Sequence, residues 1–256
     1  MNEAPGALDR WEGRPVGEWA RRWGVPAVEA YDQLPSTNER LRTLAGEGAA
    51  GFTVVIAESQ TLGKGRGGKR WESPAGMGLW LSFLVPSHSL VSLALVPILV
   101  GLAATRALER LCPSLSPGIK WPNDIEVEGR KLGGILVEMA GGAAAVGIGI
   151  NIASAPEDTE TPATNLPADV APEVLLDDIR VCFDVWYRRW REDGFAPLRE
   201  AWLQHGIGLG EPIRARLARE TVEGVFGGLD ADGGLLLDRD GERRVIAAGD
   251  VFVGTS

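Results

Sequence analysis

The stretch Gly63-Lys64-Gly65-Arg66-Gly67-Gly68-Lys69-Arg70-Trp71 constrains this chain more than any other, because four glycines and four cations fall within nine residues. Glycine lets the backbone turn its N–H groups inward and come close to an anion, where a larger side chain would obstruct. The cations supply compensating charge. The preceding run, Phe52-Thr53-Val54-Val55-Ile56-Ala57, is rich in β-branched residues and reads as a strand. A strand feeding such a loop predicts a segment that closes over phosphate or carboxylate.

Two familiar nucleotide patterns overlap here, and neither survives its context. Gly63, Gly65 and Gly68 fit G-x-G-x-x-G, and Gly63 to Lys69 fits G-x-x-x-x-G-K, with Arg70 where a P-loop needs Ser or Thr for magnesium. Both motifs require a helix to begin at once, its N-terminus facing the phosphate. Trp71-Glu72-Ser73-Pro74-Ala75-Gly76-Met77-Gly78 follows instead, and its Pro and two Gly block a helix. No acid stands about 20 residues further on to hold a ribose. The anion-binding loop remains; the two motifs do not.

Charge narrows the ligand. A net charge of −9 argues against broad nucleic-acid binding, which relies on many phosphate-neutralising cations. The positive charge at 64–70 is local and suits a small anion. Of 26 basic residues only Lys64, Lys69, Lys120 and Lys131 are lysine, and all four fall in one central window. Arginine serves everywhere else, which points to lysine being kept where a compact point charge matters. Cys112 and Cys182 lie far apart with no C-x-x-C, so neither a disulfide framework nor zinc is implied. With no signal sequence and no apolar run of spanning length, the expected compartment is the cytoplasm, without a membrane partner.

In chain order, residues 1–26 carry a short helical pattern at Pro15–Trp23 and leave too little room for a helix-turn-helix module. Val28–Tyr31 alternates like a strand. Ser36-Thr37-Asn38-Glu39 opens a helix with the spacing of a capping box, Ser36 bonding the backbone and Glu39 reaching back; the alternative is that these polar groups face a ligand. Gly78–Val85 reads as a buried strand, and Leu90–Leu111 as a long helix that Pro97 kinks or starts late. Ile119-Lys120-Trp121 ends a strand, Pro122-Asn123-Asp124 turns, and Glu128-Gly129 forms a hairpin turn between two further strands. Paired glycines at 133–134 and at 147 and 149 suggest close approach to the sheet face. Ser154–Pro172 is a loop. Glu173–Arg191 is a helix whose apolar face is read as Val174, Ile179, Val181, Val185, Trp186 and Trp190, and a second helix runs to about Gln204. Five short β runs after Glu211 suggest a small SH3-like barrel.

Three segments then converge: Gln60 through Trp71, Lys120-Trp121-Pro122-Asn123-Asp124, and Lys131-Leu132-Gly133-Gly134-Ile135-Leu136. With Ser36-Thr37-Asn38 they resemble, in order and spacing over roughly residues 30 to 253, the biotin protein ligases. That family's glycine-rich loop reads Gly-Arg-Gly-Arg-x-Gly-Arg-x-Trp, so Lys64 and Lys69 stand here for two of its arginines. Charge is kept, while the planar two-pronged grip of a guanidinium is lost. The resemblance implies an α+β fold: a mixed central sheet with helices packed on it in a ligase domain (1–207), then a C-terminal SH3-like β-barrel (208–256). It implies an enzyme that joins biotin to ATP as biotinyl-5′-AMP and passes biotin to a lysine of a biotin carboxyl carrier domain, with Mg2+ riding on the phosphates.

By the same resemblance Lys131 and Arg66 carry the catalysis, and Lys64 adds charge from the loop. Ser36, Thr37, Asn38, Gln60, Lys64, Gly65, Arg66, Lys131 and Gly134 would surround biotin; Gly63, Lys69, Trp71, Lys120, Asn123 and Asn151 would hold the nucleotide, with Trp71 covering the adenine. Asp124 fits either an indirect magnesium contact or a turn-stabilising role. His88 and His205 belong to no motif. An exposed sheet edge would offer a route to a homodimer. The rival readings are a lipoyl or octanoyl ligase of the same general fold and a non-catalytic biotin sensor or repressor.

Overall fold

Most of the apolar runs before Asn151 become strands of one eight-stranded mixed sheet in the computed structural model, which describes residues 6–86, 93–167 and 170–254. The chain begins with β1 (Ala7–Leu8), β2 (Arg10–Trp11), β3 (Arg14–Pro15), α1 (Val16–Trp23), β4 (Val28–Leu34), α2 (Thr37–Gly46) and β5 (Val54–Gln60). It continues with β6 (Gly78–Pro86), α3 (Val96–Leu111), β7 (Pro117–Lys120), β8 (Asp124–Val127), β9 (Arg130–Ala140) and β10 (Ala143–Asn151). The sheet order is β1-β4-β5-β6-β10-β9-β8-β7. Only β4 and β5 run parallel, and α2 is the crossover that such a pair requires. This topology brings the ends of α2 and β5 beside the middle of β9 and β10.

Local chemistry accounts for most element ends. Glu128 and Gly129 both take positive φ (51° and 72°), the geometry of the predicted two-residue hairpin between β8 and β9. α3 starts late, with Pro97 in its first turn, as the missing proline N–H allows; the part of the expected helix at 90–92 lies outside the described residues, as does His88. The capping box does not form. Ser36 has an extended N-cap backbone but makes no side-chain capping bond, and Glu39 turns away to pair with Lys64.

The core lies between the sheet and a helical layer of α3 with α4 (Pro172–Asp193) and α5 (Ala196–His205). The apolar face of α4 differs from the expected one. Leu175, Leu176, Ile179, Cys182, Phe183 and Trp190 are buried, whereas Val174, Val181 and Val185 are exposed and Trp186 is half-buried. The buried set keeps i, i+3, i+4, i+7 spacing, and the valines lie one step around the helix from it. Trp11, Trp19 and Trp23 close a second corner, with Trp19 and Trp23 stacked at 5.0 Å. Among the described residues no helix is long and apolar enough to cross a membrane.

The C-terminal strands are β11 (Pro212–Arg216), β12 (Thr221–Leu229), β13 (Leu235–Arg239), β14 (Glu242–Ile246) and β15 (Asp250–Val253). They form an antiparallel sheet in the order β14-β13-β12-β11-β15. The sheet has the size of an SH3-like unit but is open, since β14 and β15 do not pair. β14 is exposed at every residue except Ile246, and Glu242, Arg243 and Arg244 make it the charged type of edge that resists further pairing. The turn before β13 is tied to the larger sheet by Trp121, whose buried indole N–H donates to the Gly233 carbonyl at 3.0 Å.

Candidate active site

A groove of about 480 Å³ opens where the glycine-rich loop, the start of α2, the middle of β9 and β10, the 156–163 loop and Asp250 of β15 meet. The loop is itself a small hairpin. Trp71 N–H donates to Gly63 O (2.9 Å) and Gly65 N–H to Lys69 O (2.7 Å), with Gly67 and Gly68 in positive φ at the tip. Only glycine fits at 63, where a Cβ would stand 2.3 Å from the Trp71 carbonyl. Gly63 therefore shapes the loop and does not line the groove.

One wall is polar and buried. Ser36, Thr37 and Asn38 are each less than 5% exposed yet line the groove. The Gln60 carbonyl oxygen accepts from Thr37 N–H (2.9 Å), and its amide donates to Ser73 Oγ (2.8 Å). Asn38 Nδ2 donates to Glu138 Oε2 (2.8 Å), and Asn38 Oδ1 accepts from Ser82 Oγ (2.7 Å). The Asn38 amide is thereby occupied by protein partners, so Asn38 braces the wall more than it offers a grip. Gly147 is needed opposite, since a Cβ there would come within 2.8 Å of Asn38 Oδ1.

The floor is apolar and flat. Trp71 lies across β9 and β10, and a Cβ on Gly149 would meet its ring at 2.6 Å; one on Gly134 would meet it at 3.3 Å. The expected close approach at these glycines is thus made by an indole. Its Nε1 is buried without a hydrogen-bond partner among the described residues, and Trp80 packs edge-on at 6.3 Å.

Cations from separate segments converge on this space. Lys131 Nζ sits 2.7 Å from Asp124 Oδ1 and 5.4 Å from the centre of the Trp71 ring. Arg66 donates to Asn123 Oδ1 (3.2 Å) and to Gly249 O (3.3 Å), while Asn123 is itself held by Ile135 O at 2.8 Å. Lys64 pairs with Glu39 at the start of α2. Lys69 bridges Glu160 (3.1 Å) and Asp250 (3.0 Å). Asn151 also lines the groove, its amide donating to Thr164 O at 3.0 Å. Lys120 does not reach it. Its ammonium is drawn 2.8 Å from Glu126, which is only 3% exposed, because a buried carboxylate needs a close counter-charge.

Glu160 and Asp250 were not foreseen, since nothing local marks an acid in a loop or a β edge as a partner of a distant cation. They join the loop, the 156–163 segment and the C-terminal sheet through Lys69 and Arg216. Hydrogen bonds from Arg216 and then Lys69 pull the Glu160 carboxyl down from its usual 4.5 to about 2. For Asp250 burial works upward, but the bonds from Lys69 and Arg216 outweigh it and the net direction is down. A depressed carboxylate stabilises the folded form above its unfolded pKa and loses that contribution as pH falls through the folded value. The tie is therefore expected to be intact above about 4.5 and to fade toward about 2. Carboxyl NMR should show Glu160 titrating near 2 in the wild type and nearer the ordinary glutamate range in Arg216→Ala. An unchanged midpoint would show that Arg216 does not hold it.

Comparison with known proteins identifies the family. Residues 31–153 match the model of the biotin/lipoate A/B protein ligase family, and residues 208–254 that of the biotin protein ligase C terminal domain. The biotin–[acetyl-CoA-carboxylase] ligase of Paracoccus denitrificans is 38% identical over 86% of this chain and 97% of its own length. The same-named protein of Mycobacterium tuberculosis is 32% identical over 89% of each chain. Among solved structures, the biotin protein ligase from Aquifex aeolicus in complex with biotin and ATP superposes with a TM-score of 0.80 at 28% identity, covering 90% of this chain and 99% of that one. The chain belongs to the biotin protein ligase family.

Proposed function

We propose that this chain is an ATP-dependent biotin protein ligase, acting on a biotin carboxyl carrier protein. One observation carries the reading: Lys131 and Arg66, from segments far apart in sequence, line the same groove as the polar wall of Ser36, Thr37 and Gln60. A fused-ring urea needs donors and acceptors at one end of its pocket and cations at the other, where its carboxylate meets a triphosphate. The carboxylate oxygen attacks the α-phosphorus, the bond to pyrophosphate breaks, and biotinyl-5′-AMP forms. A neutral carrier lysine then attacks the acyl carbon, losing a proton as AMP departs.

In this reading Lys131 and Arg66 meet the charge that builds on the α-phosphate, and Lys64 and Gly65 face the biotin carboxylate. Gly134 leaves room for the Trp71 ring and the Lys131 side chain to reach the junction. Trp71, Lys69, Asn123 and Asn151 form the nucleotide end. Magnesium would be carried by the phosphate oxygens as part of the nucleotide substrate, and Asp124, engaged by Lys131, is not assigned to it. The loop hairpin is assigned the role of a cover that keeps water from the mixed anhydride. The larger sheet with its helices is assigned to residues 1–207 and the open C-terminal sheet to 208–256.

A lipoyl ligase would have to bury a dithiolane that offers no hydrogen bonds against Thr37 and Gln60, which disfavours that alternative. Competition of labelled biotin with unlabelled lipoate tests the point. Biotin should displace the label and lipoate should leave it bound; displacement by lipoate at equal concentration would contradict the assignment.

A further inference from the structure

Behind the polar wall runs a chain of hydrogen bonds that starts outside the groove. Glu138 of β9 is half-buried and does not line the groove, and Ser82 of β6 is completely buried. Glu138 Oε2 lies 2.8 Å from Asn38 Nδ2, Asn38 Oδ1 lies 2.7 Å from Ser82 Oγ, and Ser82 Oγ lies 2.7 Å from Thr37 Oγ1. The four groups belong to β9, the start of α2 and β6, so the linkage is tertiary and no motif announces it.

The proton positions along this chain follow from its first member. A carboxylate only accepts, so the Asn38 amide must turn its N–H toward Glu138 and its carbonyl toward Ser82. Ser82 has one proton for two contacts of equal length, and the Asn38 carbonyl, which has none to give, takes it. The 2.7 Å contact with Thr37 is then a hydrogen bond only if the Thr37 hydroxyl donates to Ser82. Thr37 has a competing contact with Gln60 Oε1, but it is longer, 3.2 Å, and that oxygen already accepts from Thr37 N–H at 2.9 Å. Short and otherwise unfilled outweighs long and already filled. With its proton spent inward, Thr37 Oγ1 presents lone pairs to the groove.

We infer that Glu138 and Ser82 are positioning residues that hold the Thr37 hydroxyl as a hydrogen-bond acceptor for a ligand N–H. This rests on the reading of the groove as a biotin site, whose urea supplies such N–H groups. Glu138→Gln keeps size and shape but can donate, which lets the Asn38 amide and both hydroxyls reverse, so that Thr37 turns a proton toward the ligand. Ser82→Ala breaks the relay in its middle.

Calorimetric titration of the full chain with biotin, and separately with MgATP, tests the inference. Each single variant should weaken biotin binding about tenfold, the size of one lost hydrogen bond to the ligand. MgATP binding should stay within about twofold, and the double variant should bind biotin no more weakly than Ser82→Ala alone, because both changes act through one chain. Wild-type affinity in Glu138→Gln, or losses that multiply in the double variant, would overturn the inference. A loss of MgATP binding equal to that of biotin would reduce the two residues to general structural support and overturn it as well. Wild-type protein that binds no biotin would overturn both the inference and the reading beneath it.

Discussion

Lys131→Ala is expected to lower biotin-dependent exchange of labelled pyrophosphate into ATP by about 10²–10³-fold while biotin binding changes by no more than a few-fold. The reason is placement. Lys131 is the second residue of β9, its ammonium is fixed 2.7 Å from Asp124, and both residues line the groove with Arg66. Two anions must meet there, and a fixed cation aimed at the developing charge is worth roughly 3–4 kcal/mol in a water-excluded site. Removing it leaves the polar wall at Thr37 and Gln60 untouched. Exchange equal to wild type would remove Lys131 from the chemistry. Equal losses in exchange and in biotin affinity would place its contribution in ground-state binding instead.

The second large effect concerns stability. Trp121→Ala should cost roughly 3–5 kcal/mol in urea unfolding, the range for truncating a buried aromatic side chain. Trp121 is 3% exposed, and its indole N–H satisfies the Gly233 carbonyl of the C-terminal sheet at 3.0 Å. Gly233 is pressed close to Leu95 and Ile98 of the helical layer, where a Cβ would come within 2.7 and 2.9 Å. The variant therefore opens a cavity and strands a carbonyl at the junction of the two sheets. Trp121→Phe should retain most of the packing and lose about 1 kcal/mol with the hydrogen bond. A loss below 1 kcal/mol for Trp121→Ala would show that the junction is not held there.

These two lysine and tryptophan positions show what the sequence discloses and what it hides. The Lys-Trp-Pro-Asn-Asp run was legible as a block, yet its members separate in space. Trp121 faces the C-terminal sheet, Asn123 braces Arg66, Asp124 holds Lys131, and Lys120 leaves the groove for Glu126. Glycine content marked where something crosses the sheet, but the occupant, Trp71, comes from the loop itself. Period and turn chemistry located most of the strands and the 128–129 hairpin, because those signals are local, and of the two effects expected of Pro97, a kink or a late start, the structure shows the late start.

The misreadings have one cause. Ser36 with Glu39 has the spacing of a capping box, but spacing carries no information about Lys64, which claims Glu39 from another segment. The exposed valines of α4 fit a helical stripe as well as the buried set does, and only packing against α3 and the sheet selects between them. The chain of Glu138, Asn38, Ser82 and Thr37 needs three elements to be in register before any of its bonds exists. The tie of Glu160 and Asp250 to Lys69 and Arg216 is of the same kind.

The central claim is that loop and strand cations converge to drive an acyl transfer from biotin to a protein lysine. Intact-mass spectrometry of a biotin carboxyl carrier domain incubated with this protein, biotin and MgATP measures that outcome directly. One biotinyl group should appear on each carrier, with none when ATP is withheld and with labelling about 10²–10³-fold slower when Lys131→Ala replaces the wild type. A carrier that stays unmodified with the wild-type protein, or gains biotin equally well with Lys131→Ala, would contradict the account.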